Sequence, residues 1–497
     1  MSAPKAETLR RWGLPIAVVL IPTYAFFTLG LRSFYINGAW WGDAGILASV
    51  MWHNGWGLAL PLVWGGGSFL ATHMAQVFWL TSGISWLLPV TREQFFSLFL
   101  GCVHGGMALA VYALLRSVPM RRWSAAGLAI LFAFNGMVLA ASCNPHFELL
   151  IVASGIAFLA CLLRERHGSA LCFFALCLST REDAGIHLGL LLACGIWALR
   201  MQGVAWGRLR PLAGYAVAAL GWSASILAIQ HAIFPNAAAL DDVYLGHGVF
   251  PPVSLVTIAT RLTFWLIYRL YLVLPIIAAV ILAERWRAPS IVAGFISCLP
   301  WLALNLMASS PFAGTLCNYY PFPLVFGMVW PVAGHGFALR LQARHVTTPV
   351  QAKRAFVTIL LCSFVGLWGM QNPQNLRFPG DFLSPPSLAM QARTNRAIEL
   401  LSQATLGRVA ADGAVVALAP GRFQRSQILW YPQPQAPDTV IFFAHGQGTA
   451  PALALASRSG LRVFSQIPGT RLRIASHAAL RLPALSLVPW APPGASP

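Results

Sequence analysis

Long apolar runs separated by short polar breaks occupy the chain from residue 14 to residue 370. Runs close to the ~20 residues that cross the hydrocarbon core of a bilayer lie at 14–34, 95–115, 124–141, 147–163, 184–199, 211–234, 254–282, 291–308, 320–336 and 356–370. A shorter run, 169–180, is separated from 184–199 only by Arg181, Glu182 and Asp183. As one helix rising about 1.5 Å per residue, 169–200 would far exceed the bilayer core and hold three ionisable groups in mid-membrane. Two helices with the charged triplet at their turn satisfy both constraints, which makes eleven crossings. The stretch 69–90 is apolar enough to span, but counting it would reverse the side of Arg116, Arg121 and Arg122. It reads instead as an interfacial or re-entrant part of a first outer loop at 34–94. That loop also carries Trp40, Trp41, Trp52, Trp56 and Trp64. Tryptophan prefers the headgroup zone, so 43–52 is expected to be a helix lying along the interface.

The pattern changes at Gln371-Asn372-Pro373-Gln374, after which no run is long enough to span. Residues 387–404 read as an amphipathic helix, and 414–418, 439–443, 461–464 and 472–474 as short strands with turns between them. The expected organisation is a multi-pass domain over 1–371, a soluble α/β domain over 372–480 and a Pro-rich disordered tail over 481–497. The fold class is an all-α polytopic membrane protein of about 11 transmembrane helices with a small C-terminal α/β extracytoplasmic domain.

Composition agrees, with 57% hydrophobic and 9% charged residues. A net charge of +19 raises the question of nucleic acid, but the distribution of Lys and Arg answers it. With the N-terminus inside, seventeen of them fall in inner segments, and only Arg32, Arg92 and Arg181 in outer loops. The basicity therefore orients the chain by the positive-inside rule, places the C-terminal domain outside, and implies no nucleic-acid partner. The first run follows Lys5, Arg10 and Arg11, is long for a signal-peptide core and is followed by no clear cleavage site, so it is expected to stay as an anchor. Cys143 and Cys317 could pair at outer span ends, although two free thiols is the simpler reading.

Asp43, Glu93, Glu148, Glu182, Asp183, Asp241 and Asp242 all fall on the outer side of this topology. Asp43 heads the interfacial helix between small neighbours, where it can act as a base or cap the helix. His73 could donate to a phosphate oxygen. His146 and Glu148 can converge from the turn Asn144-Pro145-His146-Phe147-Glu148, and the alternative is that Glu148 complements a helix N-terminus. Arg181, Glu182 and Asp183 form the most costly cluster, either a site or a salt bridge holding the hairpin. Asp241, Asp242 and His247 read as a solvated loop. Arg261 and Arg269, eight apart in one span, could meet a lipid phosphate. Asn318, Tyr319 and Tyr320 offer sugar or headgroup contact.

Gly42-Asp43-Ala44-Gly45-Ile46 followed by His73, His146-Phe147-Glu148 followed by Arg181-Glu182-Asp183, Asn318-Tyr319-Tyr320-Pro321-Phe322-Pro323 and Val415-Val416-Ala417 occur in that order. In this they resemble the bacterial membrane family catalogued as domain of unknown function 2079, over roughly 25–445. That family is itself similar to the GT-C glycosyltransferases, multi-pass enzymes that use a polyprenyl-phosphate sugar. The resemblance implies a bacterial inner-membrane protein with a periplasmic C-terminal domain that inverts a sugar from such a carrier onto an acceptor. It makes Asp43 the base, with Glu148, Glu182 and Asp183 as further catalytic carboxylates. His73, His146, Arg181, Arg261, Arg269, Asn318, Tyr319 and Tyr320 would then bind substrate. No Asp-x-Asp occurs, which leaves a divalent metal open. A transporter or flippase for an anionic lipid-linked glycan, and a non-enzymatic envelope scaffold, are the alternatives.

Overall fold

The computed structural model describes all residues except 1–2, 38–42, 143, 145, 236–242, 245–252, 318, 369–379, 420–422, 424–426, 429–434, 445, 447–448, 481, 483 and 493–497. The chain forms two compact units. The first comprises Met1–Thr23, Leu70–Val77 and Cys102–Leu376, and the second Tyr24–Phe69, Phe78–Gly101 and Arg377–Pro497.

Among the described residues, five helices are long and apolar enough to cross a membrane: Trp12–Tyr35, Arg92–Leu115, Ala184–Met201, Trp206–Ile233 and Pro349–Leu367. Two bent pairs bring the number to seven, Arg122–Ala133 with Gly136–Ser142 at 40° and Leu255–Tyr268 with Leu270–Arg285 at 87°. The other apolar runs are broken or short for reasons visible in their residues. The run 291–308 divides into Ala293–Ile296 and Leu299–Leu306, the second opening with Pro300 in its first turn. Tyr320–Pro323 is a turn, and the helix that follows is Leu324–Arg340. At the bend in 124–141, Asn135 Oδ1 accepts the backbone N–H of Met137 (2.9 Å) and Val138 (3.2 Å), capping a fresh helix start. The hairpin expected at 169–200 does form, as helices His167–Leu178 and Ala184–Met201 with Arg181-Glu182-Asp183 between them.

Helices of the first unit approach one another at glycine, the usual device where lipid gives no hydrophobic drive. A Cβ on Gly366 would stand 2.2 Å from the Tyr271 backbone nitrogen, and one on Gly185 2.0 Å from the Ala219 carbonyl.

In the second unit, α1 (Ala3–Tyr35), α2 (Asp43–Met51), α3 (Val77–Ser85) and α4 (Arg92–Leu115) contribute residues beside a six-stranded sheet. Its strands are β1 Val409–Ala411, β2 Gln427–Ile428, β3 Thr439–Phe443, β4 Val463–Gln466, β5 Leu472–Ser476 and β6 Val488–Pro489, in the order β2-β1-β3-β5-β4-β6. β2, β1 and β3 are parallel, while β5, β4 and β6 pair antiparallel. Residues 414–418, read as a strand from their apolar run, are helical (Gly413–Leu418). Asp412 accepts the Ala414 N–H at 2.9 Å and starts a helix that a short buried run cannot signal by periodicity. The amphipathic helix is present at Leu388–Gln403, capped by Ser387. The expected loose tail supplies β6, and its Trp490 packs edge-on against Phe442 and Phe464.

Polar contacts join this C-terminal segment to the ends of α1 and α4. Arg32 pairs with Asp381 at 2.9 Å and donates to the Ser384 carbonyl at 2.7 Å. The Tyr35 hydroxyl donates to Glu93 at 2.5 Å, and the Asn395 amide donates to the same carboxylate at 3.2 Å. The helix expected along the interface is instead packed into protein: α2 buries Ala44 to Met51 apart from Ile46. A Cβ on its Gly45 would lie 2.5 Å from that of Ala417. The 69–90 stretch has as its longest helix the nine-residue α3, too short to span.

Asp412 is 1% exposed, and burial pushes its carboxyl up to about 7 despite backbone N–H donors that work the other way. A carboxyl raised above its unfolded value of 3.8 gives stability that is full below that pH and lost as pH rises through about 7. The change is up to roughly 4 kcal/mol. Asp412→Asn keeps an acceptor for the cap and carries no charge, so hydrogen exchange of β1 and β3 should lose its pH 4–7 stability slope. An unchanged slope would show that the slope has another source.

Candidate functional site

In the first unit, the turn between His167–Leu178 and Ala184–Met201 meets the turn that precedes Leu149–Leu163. Arg181 lies at the centre, only 5% exposed. Its Nη1 donates to Glu148 Oε1 at 2.8 Å and its Nε to Asp183 Oδ1 at 2.6 Å, while Nη2 binds the second Asp183 oxygen. Glu148 and Asp183 both occupy N-cap positions, yet neither side chain caps its helix. A cap bond is worth about 0.5–2 kcal/mol, and both carboxylates forgo it for a charge-assisted bond to a buried guanidinium, the stronger interaction.

Each carboxylate here also has a histidine. His146 Nδ1 meets Glu148 Oε2, and His187 Nε2 lies 3.3 Å from Asp183 Oδ2, one helical turn along. His73 Nδ1 lies 3.0 Å from Glu182 Oε1, whose other oxygen accepts the Met74 N–H at 2.9 Å. Glu148, Glu182 and Asp183 thus hold three His–carboxylate pairs with one arginine in their midst. Burial acts to raise the Asp183 carboxyl, and the adjoining Arg181 guanidinium outweighs it and holds the group well below the usual carboxylate range. The same carboxylates, overcoming burial, keep Arg181 firmly charged.

Aromatic rings enclose the cluster. The guanidinium carbon of Arg181 is 5.4 Å from the Phe322 ring and 5.9 Å from Trp301. His187 meets both rings edge-on, at 4.9 and 4.8 Å. His146 stacks on Tyr319 at 4.1 Å, and Tyr319 on Tyr320 at 4.8 Å. Tyr244 reaches Trp301 at 5.8 Å, held by backbone bonds from Ser309 and Ser310 to the carbonyls of Tyr244 and Val243.

The structure therefore brings together His73, His146, Glu148, Arg181, Glu182, Asp183, Tyr319 and Tyr320. Asn318, Asp241, Asp242, His247 and Cys143 lie outside the described residues. Asp43 begins α2 and belongs to the second unit. Arg261 donates to the carbonyls of Leu306 and Ala308 (2.7 and 2.8 Å), and Arg269 to the Thr315 carbonyl (3.1 Å) and the Cys317 thiol (3.0 Å). Both arginines thus hold the 306–317 segment against the helix Leu255–Tyr268. His187, Tyr244 and Trp301 are members that the sequence did not propose as site residues, and Phe322 stood there only within the Asn318–Pro323 motif. The i, i+4 spacing of Asp183 and His187 is a signal that could have found His187. Among the described residues no group of three His, Cys, Asp or Glu side chains could hold a metal ion. Known protein families contain no model that matches this chain, and no curated protein matches it.

Replacing Arg181 with Met would leave Glu148 buried without its guanidinium, at a cost of about 3–5 kcal/mol. Thermal unfolding in detergent should show Arg181→Met as more destabilised than Arg181→Met/Glu148→Gln, because the double variant removes the more deeply buried of the two stranded carboxylates, leaving only Asp183. Equal or greater loss in the double variant would mean that the pair is not what holds these turns together.

Proposed function

We propose that this protein is a polytopic membrane glycosyltransferase of the GT-C kind, crossing the membrane about eleven times with its C-terminal domain on the outer face of a bacterial inner membrane. It transfers a sugar from a polyprenyl-phosphate carrier to an acceptor hydroxyl with inversion. The observation that carries the reading is the set of three His–carboxylate pairs around Arg181. An imidazole held by a carboxylate is a general base suited to neutral pH. His73–Glu182 is the most solvent-accessible of the three pairs, with side chains 20% and 12% exposed.

In this mechanism the acceptor oxygen forms a bond to the anomeric carbon as its proton passes to His73. The carbon–oxygen bond to the carrier phosphate breaks, and the phosphate leaves with the electron pair. Glu182 orients the imidazole and stabilises the imidazolium. The base thus moves from Asp43, the residue favoured by resemblance, to a pair with geometry suited to the step. Arg261 and Arg269 add positive potential toward the phosphate, since backbone carbonyls do not neutralise a guanidinium.

The test is sugar transfer by protein reconstituted in lipid and supplied with a panel of undecaprenyl-phosphate sugars. His73→Ala and Glu182→Gln should each lower kcat by about 10²–10⁴-fold, the range typical of a lost general base. Wild-type kcat in both variants, or its loss in Asp43→Asn alone, would defeat this assignment. Movement of the lipid-linked sugar across vesicles without turnover would favour a transporter.

A further inference from the structure

Between Asp43 and Arg92 lie 48 residues without a single Asp, Glu, Lys or Arg. Within this stretch α3 buries Val77 and Phe78 in its first turn and then reverses its polarity. Thr81, Ser82 and Ser85 are buried, whereas Leu80 and Ile84 on the helix and Trp86 and Leu87 just after it are exposed, Leu87 to 79%. Residues 80 and 84 lie one turn apart on one face of α3. The buried hydroxyls are fully used. Ser82 accepts the Asn54 N–H at 2.8 Å and donates to the Asn54 carbonyl at 2.6 Å. Ser85 accepts the His53 N–H at 2.9 Å and donates to the Ser82 carbonyl at 2.7 Å. Trp86 is fixed as well, since His53 lies stacked between Trp52 and Trp86 at 4.0 and 4.1 Å. Trp56 and Leu62, of the same stretch, are 80% and 68% exposed.

A helix in water turns its leucines inward and its serines outward, and from Leu80 onward α3 does the opposite. The arrangement is stable where the outside is hydrocarbon and polar groups must find partners within the protein. We infer that Leu80, Ile84, Trp86 and Leu87, with Trp56 and Leu62, form a surface inserted into the lipid bilayer itself. Three observations favour lipid over a protein partner: the absence of charge over the whole stretch, the tryptophans among the exposed residues, and the membrane-length helices Trp12–Tyr35 and Arg92–Leu115 on either side of it in sequence. The segment does not cross, because α3 has only nine residues.

An environment-sensitive NBD probe on Leu87→Cys, in a variant whose native cysteines are replaced, tests this in nanodiscs that carry nitroxide-labelled acyl chains. Quenching should be at least about threefold stronger than for the probe on Ser457→Cys, an exposed position of the α/β domain. A water-like emission, or a blue-shifted emission that acyl-chain nitroxides do not quench, as cover by a second copy or another protein would give, overturns the inference. If the cysteine-free protein does not fold, Trp56→Phe/Trp86→Phe in the native background serves instead. Brominated lipids should quench its tryptophan emission less than that of the wild type, and equal quenching would also overturn the inference.

Discussion

Arg181 is the constraint around which the first unit is arranged. A guanidinium stays charged at any accessible pH, and at 5% exposure its charge must be met from within the protein. It is met by carboxylates from two different turns, Glu148 before one helix and Asp183 before another. The planar fork fixes both distance and orientation, so the two turns are registered more tightly than apolar packing alone would require. His146, His187 and His73 then each meet one of the three carboxylates, and aromatic rings pack around Arg181. An ion pair buried in this way is weak evidence for added stability. Its evident effect is to hold Glu148, Asp183 and their histidines in one place.

The second unit shows a related use of polar groups. Glu93, one of the acids that the sequence topology puts on the outer side, accepts bonds from both Tyr35 and Asn395. Arg32 reaches Asp381 across 349 residues of sequence. Such contacts make the C-terminal α/β segment part of one packed body with the ends of α1 and α4, and α2 with its Asp43 is packed into that body.

Much of the fold was legible where a single physical rule was strong enough to act locally. The cost of three charges in mid-membrane divided 169–200 into two helices, and the charge asymmetry argued that 69–90 does not cross. Ser387 marked a helix start. Legibility failed where a rule needed a partner. The run 414–418 is apolar in any conformation, and only Asp412 and the surrounding core make it a helix. Val488–Pro489 and Trp490 looked like a loose tail because the strand and rings that receive them are distant in sequence. Runs 291–308 and 320–336 carried their prolines openly, yet hydropathy alone does not weigh a break.

By itself the sequence determined that this is a membrane protein with its reactive residue types at a few short turns, because hydropathy and charge are properties of composition along the chain. It could not determine that Glu148 and Asp183 would leave their caps for one arginine, that His187 and Trp301 would join them, or that α3 would turn its serines inward. Those outcomes depend on which turns meet in space, and a buried charge or hydroxyl takes whatever partner the tertiary structure brings within hydrogen-bond reach.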